Sequence, residues 1–128
     1  MFQYRAALSR VIDGDSAVLL VDVGFSARVE VEVRLLDVHA PERRQLGGAE
    51  TTAFVTDWFG HVAAIDPNRR WPLFVEMQIS KVVEPTERTS FTRYLGTVWP
   101  IGNRALGASL NWLVTQFLSG HPEWPSGE

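Results

Sequence analysis

The stretch FSARVEVEVRL, residues 25–35, decides the fold of this chain. Apolar residues occupy every second position from Phe25 to Leu35, and serine, arginine or glutamate stands at each position between them. Because successive side chains of a β-strand point to opposite faces, this alternation predicts a strand with one buried face and one face in water. Arg34 falls on the water-facing side, opposite Val33 and Leu35.

Two more strands are predicted ahead of this stretch. Residues 4–12 form the first, which ends at the turn-forming residues Asp13-Gly14-Asp15. Residues 17–23 form the second, an almost continuous apolar run that indicates cover on both faces. Gly24 provides a turn between this strand and residues 25–35, so the two are expected to form a hairpin.

A helix is predicted after an irregular stretch at residues 37–48. It has one apolar stripe at spacings of four, four and three residues, formed by Phe54, Trp58, Val62 and Ile65. The turn residues Asp66-Pro67-Asn68 mark its end. Strands are then predicted over residues 73–79 and 91–99, with a polar loop at 82–89 between them.

A second helix closes the chain. Its apolar residues follow helical spacing at Leu110, Leu113, Val114, Phe117 and Leu118. Ser109 is the predicted N-cap, and Gly120 lies just past the end.

The predicted order of elements is therefore β-β-β-α-β-β-α. Three consecutive antiparallel strands exclude a doubly wound parallel sheet, whereas five short strands with a helix after the third suit a small closed barrel. The fold class is mainly β with helices (α+β), as a five-stranded OB-like barrel. One domain is expected over residues 1–118, with a Pro- and Gly-rich, loosely packed tail at 119–128.

Composition excludes several classes of function. The chain has 128 residues and no cysteine, which rules out disulfides, thiolate metal sites and a cysteine nucleophile. Its formal net charge of −3 argues against coating nucleic acid by bulk positive charge. Neither a secretory signal nor a membrane-spanning apolar run is present in the sequence, so we expect a cytoplasmic protein with no membrane partner.

Two polar clusters interrupt the apolar pattern at strand ends. The first is DGDS at residues 13–16, and the second is RLLDVHAPE at residues 34–42. Taken singly, each has a structural explanation, because Asp-Gly-Asp is a common hairpin turn and a strand arginine is usually a solvated charge.

Taken together and in order, the clusters resemble the staphylococcal nuclease (thermonuclease-like) family. The family's opening motif Val-Ile-Asp-Gly-Asp-Thr compares with VIDGDS at residues 11–16, and its Arg-Leu-x-Gly-Ile-Asp-Ala/Thr-Pro-Glu compares with residues 34–42. Similar segments follow in the family's order at residues 48–54 (GAETTAF), 91–96 (FTRYLG) and 109–114 (SLNWLV). The resemblance runs from about Tyr4 to Phe117.

This resemblance implies an OB-like barrel and metal-assisted hydrolysis of phosphodiester bonds in DNA or RNA, usually with calcium. By matching motif positions, Arg34 and Arg93 are the expected phosphate-binding arginines and Glu42 the carboxylate that acts on the attacking water. The expected metal ligands are Asp15, position 39 and the backbone carbonyl of Ala40. Apart from the resemblance, Arg43 and Arg44 beside this loop and Tyr94 after Arg93 are candidate substrate contacts, although exposed arginines are commonly only solvated and a strand tyrosine is commonly structural.

The sequence departs from the family at His39, where the second metal-binding aspartate belongs. Calcium prefers oxygen ligands, so three interpretations compete. The metal has changed to one that accepts nitrogen, such as Mn²⁺ or Zn²⁺; Asp37 supplies the missing carboxylate; or the metal site is weak. Because Arg34, Glu42 and Arg93 are retained, an active nuclease is the favoured prediction. The alternative is a weak or inactive module that binds nucleic acid or protein.

Overall fold

Five strands close into a barrel in the computed structural model, which describes residues 2–82, 93–102 and 108–126, with the backbone alone at 79–82 and 93. The elements, in chain order, are β1 (Phe2–Asp13), β2 (Ser16–Gly24), β3 (Ala27–Leu35), α1 (Gly48–Ile65), β4 (Leu73–Val82), β5 (Arg93–Pro100) and α2 (Leu110–Ser119).

The strands follow one another around the barrel as β1-β2-β3-β5-β4, and β4 pairs with β1 to close it. Every pair is antiparallel except β3 with β5, which run parallel. The predicted order β-β-β-α-β-β-α is confirmed, and the architecture, a closed five-stranded barrel with two helices, is consistent with an OB-like barrel.

The barrel interior is filled by aliphatic side chains from all five strands. On β4 the predicted alternation is confirmed, since Leu73, Val75 and Met77 are buried. Strand β2 is buried at consecutive positions from Ser16 to Leu19, as expected for a strand covered on both faces. The predicted loop at 82–89 lies almost wholly outside the described residues, as does the predicted start of β5 at Phe91.

The hairpin between β2 and β3 differs from the prediction. Phe25 and Ser26, with φ of 56° and 62°, form its two-residue turn, and β3 begins only at Ala27. The ring of Phe25 is fully exposed, and Val29 is 49% exposed. The prediction of a strand from Phe25 with a buried apolar face was wrong here, because the hairpin tip extends beyond the barrel core.

Helix α1 begins at Gly48 and ends at Ile65, next to the predicted stop residues. Its buried face is formed by Thr51, Val55, Phe59 and Val62, and α1 packs against β1 and α2. The predicted stripe was partly wrong: Ile65 is 72% exposed and Phe54 and Trp58 are only half-buried, because the buried face follows Thr51, Val55 and Phe59 and shares only Val62 with the prediction.

Helix α2 is capped as predicted. The backbone N–H of Trp112 donates to the Ser109 hydroxyl at 3.0 Å, and Gly120 forms the C-cap. Beyond α2, the His121 and Trp124 rings stack with centroids 3.8 Å apart, and Trp124 lies against Gly47. Among the described residues, no helix is long and apolar enough to cross a membrane.

Candidate functional site

The turn between β1 and β2 is held tightly against the rest of the protein. A Cβ on Gly14 would lie 2.5 Å from Cγ2 of Thr51 and 2.9 Å from Cβ of Ala40, so only glycine fits without a shift. Gly14 thereby brings the turn into contact with both α1 and the loop that follows β3. The next residue, Asp15, is 6% exposed.

Asp15 links three segments of the chain. Its carboxylate accepts hydrogen bonds from the Ser16 hydroxyl (3.2 Å) and from the backbone N–H of Ala40 (3.3 Å), and its backbone carbonyl accepts from the Leu35 N–H at 2.8 Å. These bonds fix the end of β3 and the following loop against the β1–β2 turn.

Arg34 lies beside Asp15 at the end of β3. Its Nη2 is 3.9 Å from Oδ2 of Asp15, and its side chain is 25% exposed. Val33 and Leu35 on either side are buried, which confirms the predicted facing of Arg34. The guanidinium is thus half-buried beside one carboxylate while keeping part of its surface open to a ligand.

Burial raises the pKa of the Asp15 carboxyl to about 7. A hydrogen bond with the Asp13 side chain and the charge of Asp13 raise this pKa further, whereas the positive charge of Arg34 lowers it. Near neutral pH the Asp15 carboxyl is therefore divided between its protonated and ionised forms.

Glu42 extends into solvent from a backbone that is fixed. Its N–H donates to the Gln45 side-chain carbonyl at 2.8 Å, and its own carbonyl accepts from the Gln45 N–H at 2.9 Å. A Cβ on Gly48 would collide with the Glu42 carbonyl oxygen, so the start of α1 packs directly on this loop. Pro41, just before Glu42, is buried. The Glu42 carboxylate is thus exposed to solvent on a backbone that is hydrogen-bonded and packed.

The expected metal ligands are only partly brought together. Asp15 and Ala40 are in contact, but the side chain of His39 is exposed, and so is Asp37, whose φ is 60°. Across the described ranges, no group of three or more His, Cys, Asp or Glu residues is placed to hold a metal ion.

A calcium ion takes six to eight oxygen ligands. The one buried carboxylate here already accepts two hydrogen bonds and has Arg34 beside it. This donor set does not fit a resident calcium ion. The binding of a cation together with a substrate stays a prediction.

The second expected arginine is placed by its backbone. In the parallel pairing of β3 with β5, Arg93 is opposite Glu32 and Leu95 is opposite Arg34, so Arg93 and Arg34 lie diagonally across neighbouring strands. The side chain of Arg93 lies outside the described residues.

The predicted substrate contacts divide between two places. Arg43 and Arg44 are exposed directly after Glu42. Tyr94 is opposite Val33 and packs at the edge of the hydrophobic core, where it helps to line an open apolar depression with Met77. Arg43 and Arg44 thus adjoin the Glu42 loop, while Tyr94 belongs to the apolar side of the sheet.

No protein-family model matches this chain, and no curated protein sequence matches it either.

Two residues that support the site were not predicted. Asn111 of α2 donates through Nδ2 to the carbonyls of Leu36 (3.1 Å) and Gly96 (3.0 Å), and its Oδ1 accepts from the Val98 N–H at 3.1 Å. It therefore joins α2, β5 and the exit of β3. The signal in the sequence is a polar residue within an otherwise apolar helix face.

Gln45, which holds the backbone of Glu42, has no such signal because its partner is only three residues away in an irregular loop.

Proposed function

We propose that this protein hydrolyses phosphodiester bonds of nucleic acid at the site formed by Asp15, Arg34 and Glu42. The observation that carries the proposal is the single bond from the Ala40 N–H to the Asp15 carboxylate. It ties the loop of Glu42, two residues further on, to the carboxylate that lies beside Arg34. The Arg34 guanidinium, which can bind a phosphate, and the exposed Glu42 carboxylate are thereby supplied by adjoining segments of the chain.

Arg34 is suited to bind the scissile phosphate. A guanidinium offers a planar set of N–H donors that matches two phosphate oxygens, and such charge-assisted bonds strengthen as charge builds up on those oxygens in the transition state. Asp15 lies 3.9 Å from this guanidinium and limits where it can move. Arg93, diagonal to Arg34 across the parallel pair, is the proposed second donor.

Glu42 is suited to act as the general base. Its carboxylate takes a proton from a water molecule as the water oxygen forms a bond to phosphorus, and the ester P–O bond on the far side breaks. The departing oxygen keeps the bonding electron pair and takes up a proton from solvent. The two hydrogen bonds between the Glu42 backbone and Gln45 support this role, because a general base must be held within hydrogen-bond reach of its water.

The finer fold assignment, a nuclease barrel of the staphylococcal nuclease kind, belongs to the same proposal. It is supported by the resemblance of the motifs and by their position at one end of the barrel. The cation, Ca²⁺ by resemblance or Mn²⁺ or Zn²⁺ with His39 as a ligand, stays a prediction, and no step above depends on it.

Hydrolysis of labelled single-stranded DNA and RNA tests the proposal, with Ca²⁺, Mg²⁺, Mn²⁺ and Zn²⁺ supplied in turn. Glu42→Gln is expected to lower the rate by about 100-fold or more, which is the usual contribution of a general base. The matched control is Glu50→Gln, an exposed glutamate in the first turn of α1 that should leave the rate unchanged. No hydrolysis by folded protein with any of these ions would overturn the proposal.

The exposed His39 favours a second candidate, a non-catalytic module that binds nucleic acid or protein. It predicts binding without turnover, and binding that survives Glu42→Gln. His39→Asp separates the two candidates: calcium-dependent cleavage gained by this variant shows that the rest of the site is competent, whereas binding with no cleavage in either protein favours the module.

A further inference from the structure

A polar depression lies at the opposite end of β3 from Arg34. It has a volume of about 250 Å³ and opens between the β2–β3 turn and the segment that leads into β4. Its charged and aromatic lining consists of Arg5, Asp22, Phe25, Arg28, Arg70 and Trp71. This volume is below the ~300–1,000 Å³ of pockets that enclose whole drug-sized ligands, so it suits one small group of a larger ligand.

The charge in this depression is opposite to that of the protein as a whole. Three arginines and one aspartate leave two net positive charges (3 − 1 = 2), in a chain whose net charge is −3. Asp22 is occupied by Arg5, whose Nη2 lies 2.7 Å from its Oδ2, and by the Gly24 N–H at 3.0 Å. Arg28 and Arg70 therefore supply the excess positive charge.

One of these two arginines is held by an aromatic neighbour. The guanidinium carbon of Arg70 lies 5.6 Å from the centre of the Trp71 ring, within the range of a cation–π contact. Arg28 is opposite Asp22 in the β2–β3 register. An arginine that is already held in place loses less conformational entropy when it binds an anion.

Phe25 is the most unusual residue of this depression. Its ring is fully exposed, and its backbone has a φ of 56°, a conformation that bulky residues rarely adopt. Such strained positions collect at ligand sites, where the cost to stability is balanced by function. A free aromatic ring beside two arginines is also the combination that contacts nucleobases by stacking.

We propose that this depression binds a phosphate group of a nucleotide or of a nucleic-acid strand, with Arg28 and Arg70 on the phosphate oxygens and the ring of Phe25 against the adjoining base. The site is separate from the Asp15–Arg34–Glu42 site. Arg28 and Arg34 are six positions apart along β3, about 20 Å at the rise of a strand. Glu30 and Glu32 lie between them on the same face, so no continuous positive track joins the two sites. Binding at this depression does not depend on hydrolysis at Glu42.

Fluorescence anisotropy of a labelled single-stranded oligonucleotide of about 20 nucleotides, titrated with the full chain in EDTA, tests this site. The double variant Arg28→Gln with Arg70→Gln is expected to weaken binding about threefold to tenfold. It should also reduce the salt slope of log K by about 0.7, the value for one phosphate contact on a single strand. Arg10→Gln with Arg69→Gln removes the same charge from other exposed positions and is the matched control.

Competition by adenosine monophosphate identifies the source of the phosphate. Competition that is lost in the Arg28/Arg70 variant supports a site for free nucleotides. If the Arg28/Arg70 variant binds the oligonucleotide more weakly but adenosine monophosphate does not compete even with the wild type, the site contacts a nucleic-acid strand. Equal weakening by the control pair overturns the proposal, since the effect would then follow net charge only. Glu42→Gln should leave this binding unchanged. The Arg28/Arg70 variant should leave hydrolysis of a dinucleotide unchanged. The two assays therefore distinguish a failure of the phosphate site from a failure of the proposed hydrolysis.

Discussion

The backbone N–H of Ala40 donates to Oδ2 of Asp15 across 3.3 Å, and this contact joins the two sequence motifs of the candidate site. Asp15 belongs to the turn between β1 and β2, whereas Ala40 belongs to the loop after β3. The bond brings a buried carboxylate, a half-buried guanidinium and the support of Glu42 into one region.

The raised pKa of Asp15 predicts a pH dependence of stability in metal-free buffer. Its folded pKa of about 7 exceeds the ordinary aspartate value of 3.8, so between these values the native state holds a proton that the unfolded state releases. The free energy of unfolding should therefore fall as pH rises from about 4 to about 7, with a slope of at most about 1.4 kcal/mol per pH unit from this group. Urea denaturation at a series of pH values measures it.

Asp15→Asn is the control for this pH dependence because it keeps the shape and removes the titration. The fall in stability between pH 4 and 7 should flatten in the variant. The lowered pKa of Asp22 acts in a different window, since its contribution is lost only as pH falls below its ordinary value of 3.8. A variant curve parallel to that of the wild type would show that Asp15 titrates normally.

Asn111 is expected to be the most sensitive polar residue of the core. Asn111→Leu leaves the Leu36 carbonyl and the Val98 N–H without this partner, and each buried polar group left unsatisfied costs about 1–3 kcal/mol. We expect a loss of about 3 kcal/mol in the free energy of unfolding. Gln116→Leu, an exposed position on the same helix, should change it by less than about 0.5 kcal/mol. Similar losses for the two variants would contradict the prediction.

The strands and helices were predicted from local periodicity, which shows that an element is present more reliably than it shows where its buried part begins and ends. Alternation in residues 25–35 identified β3 and the facing of Arg34, but it could not show that the core ends near Val31 and leaves Phe25 in solvent. The predicted stripe of α1 likewise included Ile65, because two apolar stripes at helical spacing were available and the sequence does not record that the one through Val55 and Phe59 faces the core.

The site was predicted as a set of residues and not as a set of contacts. The sequence motifs pointed to Asp15, Arg34 and Glu42, yet the bonds that position them come from Ala40, Gln45 and Asn111. Those bonds depend on which segments meet in space. The exposure of His39 could not be predicted for the same reason, since a residue next to a buried Ala40 has no periodic pattern in an irregular loop.

The β2–β3 turn should be open to stabilisation. Phe25 and Ser26 both have positive φ, as in a type I′ turn, which favours Asn-Gly. Phe25→Asn with Ser26→Gly relieves this strain without loss of packing, because the Phe25 ring is fully exposed, and should raise the free energy of unfolding by about 1 kcal/mol.

Thermal and urea denaturation measure the change in stability. If the ring serves the phosphate site, the stabilised variant should also bind the oligonucleotide more weakly. The control is Val23→Thr, an exposed neighbour on β2 that keeps the turn intact. A turn variant less stable than the wild type would show that Phe25 is not strained.

Gln45 is expected to act as a positioning residue for Glu42. Gln45→Ala removes the acceptor of the Glu42 N–H, so the loop gains freedom and the carboxylate spends less time within reach of its water. The expected result is a fall in kcat of about tenfold with KM little changed, because phosphate binding by Arg34 is not affected. The free energy of unfolding should change by less than about 1 kcal/mol, as for one exposed hydrogen bond.

Leu46→Ala is the matched control, since Leu46 is the next residue and is 63% exposed. A fall in kcat shared by both variants would mean that the loop tolerates no change at all, whereas unchanged kcat in Gln45→Ala would remove Gln45 from the proposed site.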